Sequence, residues 1–144
     1  MSPRLRARMV FHGAVVVLLG LLAGFPHAFV LTGQLQGEER AWRMAHLEGL
    51  LNGILVMLAA AVAGTLVLSP TQQRWLVWSL VVAAYGNLIA SVLGASAGVR
   101  GLAFAGPPAN LLMNLLFWIA IGGVFAGVGL LIVGARNAVR NAHD

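Results

Sequence analysis

The chain has 144 residues, of which 60% are hydrophobic and only 9% charged, with a net charge of +5 and a mean hydropathy of +0.89. A soluble domain needs more polar surface, so composition alone points to an integral membrane protein. Cysteine is absent, which excludes disulfides, iron–sulfur clusters and thiolate ligation of haem.

Four apolar runs follow one another along the chain, at about 9–31, 45–68, 75–97 and 109–135. Each meets or exceeds the ~20 residues that a helix needs to cross about 30 Å of hydrocarbon. They lack the alternation of a β-barrel. The expectation is an all-α membrane protein, a four-transmembrane-helix bundle that occupies residues 1–144 as a single integral membrane domain.

The first run follows Arg4, Arg6 and Arg8, a pattern shared with secretory signals, but it is too long for a signal's apolar region and three more spans follow, so it is read as retained. A polar loop at 32–41 leads through Trp42, an interfacial residue type, into the second run. Ser69 to Arg74, S-P-T-Q-Q-R, reads as a short turn before the third. The segment 95–108 is rich in glycine and closed by Pro107 and Pro108. It is expected to fold back over the bundle mouth, with Arg100 as an anchor.

All nine basic residues are arginine. Arg4, Arg6, Arg8, Arg74, Arg136 and Arg140 fall at one end of the bundle, and Arg40, Arg43 and Arg100 at the other, partly offset by Glu38 and Glu39. The positive-inside rule then puts both termini in the cytoplasm of a bacterial-type inner membrane. The arginines flank spans instead of forming a dense basic run, so no nucleic-acid partner is expected. G-x-x-x-G occurs at Gly20/Gly24, Gly49/Gly53, Gly94/Gly98 and Gly123/Gly127, and this spacing predicts tightly packed helices that self-associate.

Chemistry must come from the few polar residues within the spans: His12, His46, Glu48, Asn52, Tyr85, Asn87, Ser91 and Asn114. An ionisable group at such depth is a candidate functional residue. No phosphate-binding glycine loop, H-E-x-x-H motif or Ser-His-Asp set occurs, and carboxylates are too few for a di-iron bundle. His46 and Asn52 lie six positions apart, roughly 120° around a helix, and face different neighbours. Glu48 and Asn52 share a face at i and i+4. Tyr85 and Asn87 are about 200° apart, so at most one points squarely at a given site. From the residues alone, His46 is either a packing histidine or a metal ligand. Glu48 is either paired with Arg43 near the aqueous end or catalytic. His12 and His27 are structural, and His143 belongs to the tail.

Several of these residues fall in a recognisable pattern: H-G at 12–13, W-R-x-A-H-x-x-x-x-L-N-G over 42–53, Y-G-N at 85–87 and R-G-L-A-F at 100–104. With these motifs the chain resembles the styrene oxide isomerase family over most of its length. The resemblance implies a homotrimer in the lipid bilayer that binds haem b at subunit interfaces. His46 would be the axial ligand of the iron and Asn52 the active-site asparagine. It further implies a small apolar epoxide as substrate, opened at the Lewis-acidic iron and rearranged by a 1,2-hydride shift to an aldehyde or ketone. The family's helix 3 aspartate and tyrosine fall on Ala83 and Ser91, so the candidate catalytic set becomes Asn52, Glu48 and Tyr85. Glu48 stands where the family pattern has glycine and supplies a carboxyl from another helix. Tyr85 is a poor geometric substitute for the lost phenol. The competing expectation is a haem-binding membrane protein of the same fold without catalysis: a carrier, a sensor or an electron-transfer protein. A second axial ligand from His12 or His27 would close the iron and favour that alternative.

Overall fold

The computed structural model describes residues 1–142; His143, read above as tail, lies outside the described residues. The chain forms four long helices: α1 (Pro3–Leu31), α2 (Glu39–Val62), α3 (Pro70–Ala97) and α4 (Pro108–Asn141). All four are long and apolar enough to cross a membrane. Every helix starts before its apolar run, because hydropathy marks the hydrocarbon-embedded part whereas capping marks the helix end. In α1 the Ser2 hydroxyl accepts from the Leu5 amide and Pro3 opens the first turn, so Arg4, Arg6 and Arg8 belong to the helix instead of preceding it. In α3 Ser69 and Gln72 form a reciprocal capping box around Pro70. Most of the expected S-P-T-Q-Q-R turn is therefore the first turn of α3.

The opposite correction applies to α2, which ends at Val62 where the apolar run continues to Leu68. The chain tightens into a single 3-10 turn, Ala63–Thr65, and leaves helical geometry at Leu66. Its backbone is satisfied from α4: the Val67 amide donates to the Gly134 carbonyl at 3.1 Å, and Asn137 donates to the Val67 carbonyl at 3.2 Å. These bonds satisfy both peptide groups of Val67 as the apolar link leaves the helix.

The central helix is α3, which packs against each of the other three. It has 56% of its most apolar window buried, against 11% for α4. Met9 and Val16 of α1, Val56 and Ala60 of α2, and Leu76 and Leu80 of α3 form the tight core. Outward faces carry Phe11, Trp75, Trp118 and Phe125, all exposed. Such a surface suits hydrocarbon and not water.

The glycine pairs work within the chain. A Cβ on Gly20 would stand 2.7 Å from the Gly49 Cα, and one on Gly53 would stand 2.6 Å from the Gly13 carbonyl oxygen. A Cβ on Gly123 would lie 2.7 Å from the Ser79 carbonyl, and one on Gly127 would collide with Leu80. The spacing therefore seats α1 on α2 and α4 on α3. Self-association loses the support it drew from these motifs, because both partners of each close approach belong to one chain.

Gly49→Val should destabilise the protein by about 1–3 kcal/mol, the usual penalty for forcing extra atoms into a packed contact. Gly122→Ala should be neutral, since nothing lies within 4 Å of the added carbon. Thermal unfolding in detergent compares the two.

Candidate functional site

Helix α2 presents different chemistry on two faces. On one, the His46 ring lies against α1 at the point where glycines bring the helices together. Its Nδ1–H donates to the Gly20 carbonyl at 2.8 Å. The ring rests on Gly24, where a Cβ would stand 3.0 Å from Nδ1 and 3.2 Å from Cε1. Because a carbonyl can only accept, Nδ1 carries a proton, and in the neutral imidazole the lone pair is then on Nε2. Among the described residues Nε2 has no partner, and the side chain is half-buried. A bond from the other ring nitrogen to a carbonyl is what commonly orients a metal-ligating imidazole.

The opposite face holds a carboxyl between two amides. Asn52 Nδ2 donates to Glu48 Oε2 and to the Glu48 carbonyl, each at 2.8 Å. Asn87 Nδ2, from α3, donates to the same Oε2. The i and i+4 pairing of Glu48 and Asn52 follows from helical spacing. Asn87 was visible only as one more polar residue in a span, since nothing local shows which side chain of α3 meets α2. Arg43 does not pair with Glu48; its Nε lies 3.7 Å from Glu39 Oε1, which also meets His27 Nε2 at 3.1 Å. Both N–H groups of Asn52 are committed to Glu48, leaving Oδ1 as its free atom.

Two cavities flank this cluster. The larger, about 400 Å³, is lined by Glu48, Met44, Ser91, Met113 and Phe117, with Glu38, Arg40 and Arg100 at the loop end. The smaller, about 90 Å³, lies between Asn52, Ala83, Asn87 and Val124. Ser91 and Ala83, the positions that depart from the family pattern, thus line one cavity each. The segment after α3 folds back over the bundle end, with Arg100 3.6 Å from Glu38. Two asparagines of α4 stitch it down. Asn110 donates to the Ala103 and Ala105 carbonyls and accepts from the Gly101 amide, and Asn114 donates to the Gly101 carbonyl.

Tyr85 is not brought to this cluster. Its hydroxyl lies 3.3 Å from His12 Nδ1, the His12 ring packs near Phe11 and Trp78, and Tyr85 lines neither cavity. His12 is eight residues along α1 from Gly20, about 12 Å of helix, and His27 is engaged with Glu39. Within the chain, distance along α1 separates His12 from His46, and the Glu39 contact occupies His27 Nε2. Among the described residues no group of three or more His, Asp or Glu is arranged to hold a metal ion.

Glu48→Leu and Asn87→Leu should each destabilise the bundle by about 1–3 kcal/mol by stranding a polar partner. The double variant should lose less than the sum, with a coupling of about 0.5–3 kcal/mol in a double-mutant cycle followed by unfolding in detergent.

Comparison with curated proteins finds no match to the chain. The family profile described as styrene oxide isomerase matches residues 5–136, a stretch that takes in the greater part of every helix. The chain belongs to the styrene oxide isomerase family.

Proposed function

We propose that this protein is a haem b-dependent membrane isomerase that converts a small apolar epoxide to an aldehyde or ketone, with His46 as the axial ligand. The observation that carries the reading is the His46 imidazole, whose Nδ1 is committed to the Gly20 carbonyl and whose Nε2 is unpartnered. A single imidazole suffices only for a metal that brings most of its own ligands, as haem iron does. When bound, ferric haem would supply the Lewis acid for the epoxide oxygen.

The chain's own residues account for the rest. The Gly20 carbonyl holds the ring orientation and raises the basicity of Nε2. Met44, Met113 and Phe117 give the larger cavity walls that keep water from an opened ring. Asn52 offers Oδ1 and Glu48 offers Oε1, both negative ends of their groups. They suit the positive charge that develops on carbon during ring opening, not the departing oxygen. His46 and Glu48 are about 200° apart around α2, so the iron ligand of one copy and the polar cluster of another form a complete site in the proposed homotrimer.

A second reading, a haem-holding protein without turnover, is favoured by Ala83 and Ser91, which bring neither acid nor phenol. One experiment addresses both. Protein purified in detergent and loaded with haemin should show a Soret band that His46→Ala abolishes and His12→Ala retains. An unchanged band in His46→Ala overturns the ligand assignment. With the band present, styrene oxide should yield aldehyde, and its absence in both ferric and ferrous states selects the second reading.

The same proposal has both termini cytoplasmic, supported by the six arginines at that end against three at the other. The cysteine-free chain allows a direct test. A membrane-impermeant maleimide on intact cells should label Leu102→Cys and should label Ser69→Cys only after lysis.

A further inference from the structure

The larger cavity carries two polar atoms that the fold leaves unpaired. Glu48 Oε2 takes both amides, and Oε1 has no partner among the described residues. Ser91 is only 8% exposed, yet its hydroxyl makes no hydrogen bond, whereas Ser79 and Ser96 on the same helix donate to the Leu76 and Val92 carbonyls. No fully enclosed side-chain nitrogen or oxygen among the described residues lacks a partner. The two atoms therefore keep open surface, and both residues line the cavity. Its volume of about 400 Å³ lies toward the small end of the range for ligand sites.

An acceptor and a hydroxyl left unmatched between apolar walls are complementary to a ligand group that both donates and accepts. A hydroxyl does both: it donates to Glu48 Oε1 and accepts from Ser91 Oγ–H. An ammonium group donates only and cannot accept from Ser91 Oγ–H, and the guanidiniums of Arg40 and Arg100 match the carboxyls of Glu38 and Glu48 in the cavity lining, so no excess of acid draws a cation. We propose that this chamber takes a substrate with an apolar body and a hydroxyl group, an epoxy alcohol whose hydroxyl sits between Glu48 and Ser91. This inference rests on the isomerase reading for the epoxide but not for the hydroxyl seat.

Unreactive probes test the seat without turnover. Full-length protein in detergent is titrated calorimetrically with 2-phenylethanol, ethylbenzene, acetophenone and 2-phenylethylamine. The alcohol should bind roughly tenfold tighter than ethylbenzene, the scale of one added hydrogen bond. Ser91→Ala should remove most of that preference. In Glu48→Gln the amide oxygen keeps Asn52 and Asn87 and turns its NH2 into the chamber, so acetophenone, an acceptor only, should gain several-fold relative to the alcohol. Equal affinities for the alcohol and ethylbenzene, a preference that survives both substitutions, or tightest binding of the amine would each overturn the proposal. If styrene oxide is isomerised but no alcohol preference appears, this inference alone fails. If the preference appears without isomerisation, the hydroxyl seat stands and only the isomerase reading falls.

Discussion

The contact on which the rest of the structure depends is the approach of α1 to α2 at Gly20 and Gly49. Only the absence of a side chain on each helix lets the backbones meet there, since a Cβ on either would collide with the other's main chain. One turn away the same closeness leaves Gly24 as a flat floor for the His46 ring and brings the Gly20 carbonyl within 2.8 Å of Nδ1. Packing and chemistry therefore have one cause. A larger residue at Gly20 would part the helices and would also free the imidazole to change tautomer.

The opposite side of α2 carries a polar cluster drawn from two helices. Ala83 and Ser91 open space on α3 where the family pattern carries larger polar groups, and Glu48 of α2 supplies an acid held by Asn87 of α3. Glu48 and Ser91 line the larger cavity, and Asn52, Asn87 and Ala83 line the smaller. Tyr85 has no part in this arrangement. It turns toward α1 and His12, as its angular distance from Asn87 requires.

Much of this was legible in the sequence, and the limits have definite causes. Four helices followed from run length, and His46 and Glu48 stood out because imidazole and carboxyl are rare among apolar residues. Helix ends were misjudged wherever a cap or an arginine carried the helix past the hydrocarbon, as at Ser2 and Ser69, or where Gly134 and Asn137 of α4 captured the link after Val62. Spacing within a helix predicted Glu48 with Asn52 correctly. Contacts between helices depend on rotation and register, which single-helix periodicity does not contain. For that reason the Gly20–His46 bond, the Asn87–Glu48 bond and the capture of Gly101 by Asn110 and Asn114 emerged only from the fold. The glycine spacing gave the kind of contact and not the partner, because close approach within a chain and between chains leaves the same mark on a sequence.

Magnitudes show why Glu48 needs a functional explanation. An acidic side chain costs about 2.5–3.5 kcal/mol at the centre of a spanning helix on insertion scales, and Glu48, three residues into its apolar run, incurs part of that cost. Each interhelical hydrogen bond in a membrane returns about 0.6 kcal/mol on average, and only the Asn87 bond joins two helices here, while both Asn52 bonds lie within α2. The one bond between helices is thus a small return for an embedded carboxyl. A glutamine at this position would accept from the same amides with no ionisable group to embed, so stability alone gives no reason to keep an acid. The property that glutamine would lack is a second carboxyl oxygen, and that is the atom left without a partner at the wall of the larger cavity.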